Sequence, residues 1–101
     1  MTDPREILDA IGHDLAGEHP GVERGRIFRS TGFKVGGRYF AFANDDGIVL
    51  KLPEARVRAL VDTGEGAEFT SGPRVMREWV QVPGGPGLPA LVAEAHAFLA
   101  G

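Results

Sequence analysis

The sequence predicts a single α+β domain in which helices cover one antiparallel sheet. Three segments have apolar residues at helical spacing, strand-like alternation lies between them, and glycine-bearing turns separate the strands. The chain has 101 residues, of which 43% are hydrophobic and 25% charged, so one core is expected over residues 1–101. The predicted order of elements is α-β-β-β-α-β-β-α.

The first helix is predicted from its cap and its apolar stripe. Asp3 can cap the free amides and Pro4 suits the first turn. Gly17 and the Pro20-Gly21 pair end the segment. The stripe recurs every three or four residues, as Ile7, Leu8, Ile11 and Leu15.

A three-stranded meander is predicted next, beginning at Ile27 and continuing through Phe33 and Val35. Gly36-Gly37 is a turn that tolerates positive φ, as tight hairpins require. Arg38–Ala43 forms the second strand, and a period of two places Phe40 and Phe42 on one face.

A second turn at Asn44–Gly47 leads to the third strand, in which Ile48, Leu50 and Leu52 form one apolar face. The remaining segments follow in order: a helix from Pro53 to Gly64, strands at Ala67–Thr70 and Met76–Val82, and a helix at Leu88–Leu99. The alternation within Met76–Val82 does not decide which of its faces is buried.

Residues for catalysis or metal binding are sparse, so we predict a protein that is not an enzyme and has no cofactor. Cysteine is absent, and the two serines, Ser30 and Ser71, lie in no nucleophile motif. The histidines, His13, His19 and His96, lack the i,i+4 spacing typical of metal ligands. No catalytic, cofactor-binding or metal-binding residue is therefore assigned.

The sequence has no apolar run of the roughly 20 residues that span a bilayer. The acidic, polar N-terminus lacks the basic and apolar regions of a secretory signal. We therefore expect a cytoplasmic protein without a membrane partner.

A basic segment is the main candidate for a nucleic-acid or partner surface. It contains five cations and no acid between residues 24 and 38, although the formal net charge of the whole chain is -3. Interleaved aromatic residues such as Tyr39 suggest a strand face that follows phosphates and stacks bases. The alternative is a solvated face that balances the acidic first helix. The cations are Arg24, Arg26, Arg29, Lys34 and Arg38.

Trp79, the only tryptophan, also has two interpretations. It is either a buried anchor of the core or a partly exposed aromatic residue at a partner surface.

Three short motifs, in this order and spacing, give the chain a resemblance to known families. They are Gly36–Phe42, Gly47–Pro53 and Met76–Pro83, which contain a glycine-basic-aromatic strand, a leucine-lysine-leucine-proline strand end and a tryptophan-valine strand. The chain resembles the MmcQ/YjbR and TfoX N-terminal-like proteins from about Glu23 onward. The region of Ile27–Gly32 lacks the methionine-phenylalanine-glycine stretch usual in TfoX-like proteins, which leaves the choice between the two families open.

The resemblance implies an α-β(3)-α-β(2)-α fold related to secretion-chaperone-like domains. It implies regulation of competence genes for TfoX-like members and DNA binding for YjbR-like members, without a catalytic motif. Our leading hypothesis is a non-enzymatic binding or regulatory module that acts through its sheet surface on an unknown protein partner and forms a homodimer. The alternative hypothesis is a transcription-related DNA-binding protein that uses the basic strand face from Arg24 to Arg38.

Overall fold

A computed structural model describes residues 3–27 and 30–100 of the protein, and it confirms an α+β domain with an antiparallel sheet. The strands lie side by side in the order β1-β2-β3-β4-β6-β5. The elements are α1 (Pro4–Glu18), β1 (Val22–Ile27), β2 (Ser30–Val35), β3 (Arg38–Asn44), β4 (Gly47–Lys51), α2 (Glu54–Asp62), β5 (Ala67–Ser71), β6 (Arg74–Val82) and α3 (Leu88–Ala100).

The sheet contains one strand more than the sequence predicts. Four strands precede α2, because Val22–Ile27 forms β1 and pairs with β2 along its whole length. This strand lies at an edge of the sheet, and only Val22 is buried in it. An edge strand with one buried side chain has no apolar alternation, which is the pattern that would have predicted it.

All three helices cover the same face of the sheet, which we call the helix face. Leu8 and Leu15 of α1, Leu60 of α2 and Val92 of α3 belong to one core cluster with strand residues such as Leu50. The opposite face, here called the outer face, has no helix on it in the part of the chain that the structure describes. None of the described helices is long and apolar enough to cross a bilayer.

The predicted cap and close packing position α1. The Asp3 carboxylate accepts a hydrogen bond from the backbone N–H of Arg5 at 2.9 Å, and Pro4 begins the helix. Gly12 lies against the ring of Phe33, at a position where a Cβ atom would overlap that ring. A glycine is therefore required there for α1 to approach the sheet.

The two predicted turns of the meander are confirmed. Gly36 and Gly37 have φ of 59° and 79°, in the region that favours glycine. In the second turn, the side-chain oxygen of Asn44 accepts hydrogen bonds from the N–H groups of Asp46 and Gly47 at 3.0 and 2.9 Å. Asn44–Gly47 is therefore a hairpin turn closed by an asparagine side chain.

The prediction that Phe40 and Phe42 share a face is wrong. A β-bulge between β2 and β3 pairs Phe33 with Ala41 and Lys34 with Tyr39, which leaves Phe40 without a direct partner. Phe40 contacts His96 of α3, whereas Phe42 contacts Trp79 on the outer face. The extra residue shifts the alternation by one position, so both rings are buried but on opposite sides.

Candidate partner-binding site around Trp79

The described arginines of the basic segment, Arg24, Arg26 and Arg38, lie on the helix face. Arg24 is paired with Phe33, which packs under α1, and Arg26 follows two residues later on the same side. Arg24 donates two hydrogen bonds to the carboxylate of Asp9 in α1, at 3.1 and 3.0 Å. Arg38 is paired with Val35, which also packs against the core. The charge of Arg24 is thus compensated within the molecule.

Lys34 and Tyr39 lie together on the outer face. They are partners across β2 and β3, and the Lys34 Nζ is 5.7 Å from the centre of the Tyr39 ring. The Tyr39 hydroxyl donates to the backbone carbonyl of Arg26 at 2.9 Å, across a pair of glycines in β1 and β2. Arg29 lies outside the described residues. The described members of the basic segment are therefore divided between two faces of the sheet.

Trp79 combines the two roles that the sequence left open. Its ring lies 5.4 Å from that of Phe42 on the outer face, and Phe42 lies 5.5 Å from Phe69 in turn. The indole is half-buried, and the Lys51 Nζ lies 5.2 Å from its centre. Trp79 is thus an anchor of a second, smaller apolar cluster and at the same time part of the surface.

A groove lies beside Trp79, between α2 and the hairpin formed by β5 and β6. Its volume is about 360 Å³, within the range typical of small binding pockets. Apolar side chains from both walls line it, and charged residues surround them. The apolar lining consists of Val57, Val61, Val75 and Met76, and the charged rim of Glu54, Arg58, Asp62, Glu68 and Arg77.

The groove continues into a second recess, which we call the edge cleft. It has a volume of about 790 Å³ and lies between Lys51 and Glu54 on one side and the stretch Pro73–Trp79 on the other. Val75 borders both recesses and is 47% exposed, the one large hydrophobic residue exposed among those described. Val75 thus continues the apolar lining of the groove to the surface, and an apolar patch with a charged rim is typical of a contact surface.

The charges around the edge cleft are only partly paired. Lys51 forms an ion pair with Glu78 at 3.6 Å. Arg74 and Arg77 form no ion pair and no side-chain hydrogen bond with any described residue. These two guanidinium groups are therefore available to bind an acid from another molecule.

An ion pair links α2, which forms one wall of the groove, to α3. Arg56 donates two hydrogen bonds to the Glu94 carboxylate of α3, at 3.0 and 3.1 Å. These hydrogen bonds, followed by the charge attraction of Glu94, raise the pKa of Arg56 above its usual value. The pair links α2 to α3 at an exposed position, whereas α2 is placed beside the hairpin by its own contacts with β5 and β6.

Two of the histidines lie next to each other, although their positions in the sequence do not predict this contact. The rings of His19 and His96 lie 4.5 Å apart, and His96 is buried against the edge of Phe40. Burial, and to a smaller extent the charge of His19, lowers the pKa of His96. The third histidine, His13, is exposed beside Asp9, whose carboxylate binds Arg24.

The described ranges contain no group of three or more potential metal ligands. Neither recess beside Trp79 is lined by a histidine or a serine. The side chains that line the two recesses are apolar or charged, so they can bind apolar and charged groups.

Trp79 was predicted as a candidate site residue, but the residues that surround it in the site were not. Val75 and Met76 form an apolar pair between Arg74 and Arg77, directly after the Gly72-Pro73 turn. That local pattern is an available signal for an exposed strand. The contribution of α2 has no such signal, because it depends on how the helix packs against the hairpin.

Comparison with known proteins adds no functional assignment. No family model matches the chain, and no curated protein and no solved structure shows significant similarity to it. The resemblance to MmcQ/YjbR and TfoX N-terminal-like proteins therefore stays a prediction from the three motifs.

Proposed function

We propose that this protein is a non-enzymatic binding module that holds a protein partner on the sheet surface around Trp79. The observation that supports the proposal is the exposed Val75, which lies between two recesses next to the half-buried Trp79. Hot spots of protein interfaces combine a large aromatic residue with arginines and a desolvated apolar centre. Trp79, Val75 and Arg77 provide that combination on one side of the molecule.

A DNA-binding function has less support from the same geometry. Phosphate binding along a duplex requires several cations on one face. Arg24 is engaged by Asp9, and Arg24 and Lys34 are on opposite sides of the sheet. We therefore place a protein partner first and keep duplex DNA as the alternative to be tested.

The test is affinity capture from native cell extract, with and without nuclease treatment. We expect the wild-type protein to retain a protein that nuclease does not release. The double variant Val75→Ser/Met76→Ser should lose it, whereas Arg38→Ala, a change at an exposed position outside both recesses, should keep it. Capture that is unaffected by the double variant would contradict the proposal.

Duplex DNA is tested separately. Retention that decreases steeply with salt, and decreases again when Arg26, Arg29 and Arg38 become alanine, would support the DNA alternative. A second copy of the chain is also a candidate partner, in line with the expected homodimer. Sedimentation velocity of the purified protein at increasing concentration distinguishes a monomer from a dimer.

A further inference from the structure

The first half of β6 has a strand neighbour on one side only. Its pairing with β4 runs from Val82 to Trp79 and ends there. The last backbone hydrogen bond on this side is donated by the N–H of Leu52 to the Glu78 carbonyl, at 3.0 Å. Arg74–Met76 pair with β5, but within the described residues no strand lies on their other side.

Pro53 explains why β4 does not continue along β6. It has no N–H to donate to the ladder, and α2 begins at the next residue, which takes the chain away from the sheet. The edge cleft lies where β4 would have continued, between Lys51 and Glu54 on one side and Pro73–Trp79 on the other. The space beside Arg74–Arg77 is therefore an unfilled strand position.

Backbone groups of β6 face this position. In an antiparallel pair, N–H and C=O groups alternate between the two sides of each strand, so half of those in Arg74–Met76 point away from β5, and the pairing with β5 is irregular beyond Met76. Four residues of extended chain span about 13 Å, which is long enough to form a short ladder. An added peptide strand would gain these hydrogen bonds as well as contacts with Val75 and Met76.

The charges indicate which peptide fits. Arg74 and Arg77 have no acidic partner among the described residues, and Lys51 is shared with Glu78. A second copy paired antiparallel through this edge, about a two-fold axis between Val75 and Met76, would place Arg74 of one copy opposite Arg77 of the other, which is unfavourable. Because Arg74 and Arg77 lie three residues apart, an extended peptide with acidic side chains on both of its faces would instead pair with both arginines.

We propose that the edge cleft binds an extended acidic segment of a partner protein, which adds to the sheet as a strand beside Arg74–Arg77. This inference rests on the proposed function and specifies the chemistry of the partner. Val75 and Met76 would contact the apolar residues of the segment, and Arg74 and Arg77 its carboxylates.

The test uses the full chain and three short fluorescein-labelled peptides. The first repeats the unit Glu-Val-Val-Glu, which places glutamates on both faces of an extended chain, the second has lysine in place of each glutamate, and the third has proline in place of each valine of the first. We expect the first peptide alone to raise the fluorescence anisotropy on binding, with an affinity that decreases with salt. Amides of alternate residues in Arg74–Arg77 should then exchange their hydrogens more slowly.

Matched variants test the charge contribution. Arg74→Ala/Arg77→Ala should weaken binding of the glutamate-valine peptide about fivefold, since each exposed pair contributes modestly. Arg38→Ala should leave the affinity unchanged. Equal binding of the lysine or proline peptide, absence of binding, or binding without slower exchange in Arg74–Arg77 would overturn the proposal.

Charged residues on an edge strand also have a protective role, because they prevent pairing between molecules. If the only role of Arg74 and Arg77 is to prevent such pairing, the variant Arg74→Ala/Arg77→Ala should self-associate. The wild-type protein should then bind none of the peptides. Should the peptides fail while Val75→Ser/Met76→Ser still abolishes capture, the edge inference is wrong and the proposed function stands. If the peptides do not bind and the variant Val75→Ser/Met76→Ser still captures the partner, both the edge inference and the proposed function are wrong.

Discussion

The middle of the sheet and the first half of β6 are built in opposite ways. In β3 and β4, the run Phe40–Ala43 and the run Ile48–Leu50 are fully or almost fully buried, with side chains covered on both faces. In β6, the run Arg74–Glu78 contains no buried residue, and one helix, α2, lies beside it.

The difference teaches that the main source of stability and the proposed contact surface lie in separate parts of the same sheet. Buried apolar area is the main source of folding free energy, and the core cluster includes Phe40 of β3 and Leu50 of β4 but no residue of the run Arg74–Trp79. A strand segment with few buried contacts contributes little to global stability and opens more easily. A partner can therefore change the conformation of this segment at little cost in global stability.

Removing a ring from the buried region should produce the largest effect. Phe40→Ala leaves a cavity beneath α3, and we expect a loss of about 3–5 kcal/mol in the free energy of unfolding. Urea unfolding, monitored by the fluorescence emission of Trp79, measures this loss of free energy. Val75→Ala in the exposed region should change that free energy by less than about 0.5 kcal/mol. Similar losses for the two variants would refute the comparison.

A glycine exchange tests the close contact between α1 and the sheet. In Gly12→Ala the new methyl group meets the Phe33 ring, so we expect a loss of about 1–3 kcal/mol. Gly17→Ala is the matched control in the same helix, because nothing lies within 4 Å of that position. It should stabilise the protein by about 0.5 kcal/mol through higher helix propensity. Thermal unfolding of both variants measures the difference, and equal shifts would contradict this packing.

The buried histidine should make stability depend on pH. Because burial, more than the charge of His19, lowers the pKa of His96, the unfolded chain binds the proton more readily. Stability is therefore fully present above the unfolded pKa of about 6.5 and decreases as the pH falls below it, through the lower folded pKa. Urea unfolding at several pH values measures this slope. His96→Gln should flatten it and the exposed His13→Gln should not, and an unchanged slope in His96→Gln would rule out this origin.

The smallest effects on the free energy of unfolding are expected for exposed arginines in β1 and β6. Arg24→Ala removes the exposed ion pair with Asp9 and should cost less than about 1 kcal/mol, and less still at high salt. Arg77→Ala removes no described ion pair and should leave stability unchanged within about 0.5 kcal/mol. Unfolding at low and high salt measures the stability of both variants. A salt-dependent loss of stability in Arg77→Ala would show that Arg77 has an ionic partner within the protein.

The candidate site was predictable only in part. Trp79 was identifiable as the single tryptophan, and its surrounding strand was predicted from alternation. Tyr39 and Lys34 do lie together, because neighbouring strands joined by a two-residue turn have a fixed register. The basic segment nevertheless does not form one face. Arg24 binds the carboxylate of Asp9 because α1 packs beside β1. No local sequence pattern predicts a contact between these two segments.

The sequence by itself determined the α+β class, the three helices and the two hairpin turns, because caps, glycine φ preferences and apolar periodicity act over a few residues. Only the tertiary structure decided the role of β1 as an edge, the opposite faces of Phe40 and Phe42, and the unfilled strand position beside β6. These features depend on pairing between distant segments. A single bulged residue or a strand that ends early changes them without altering the local composition.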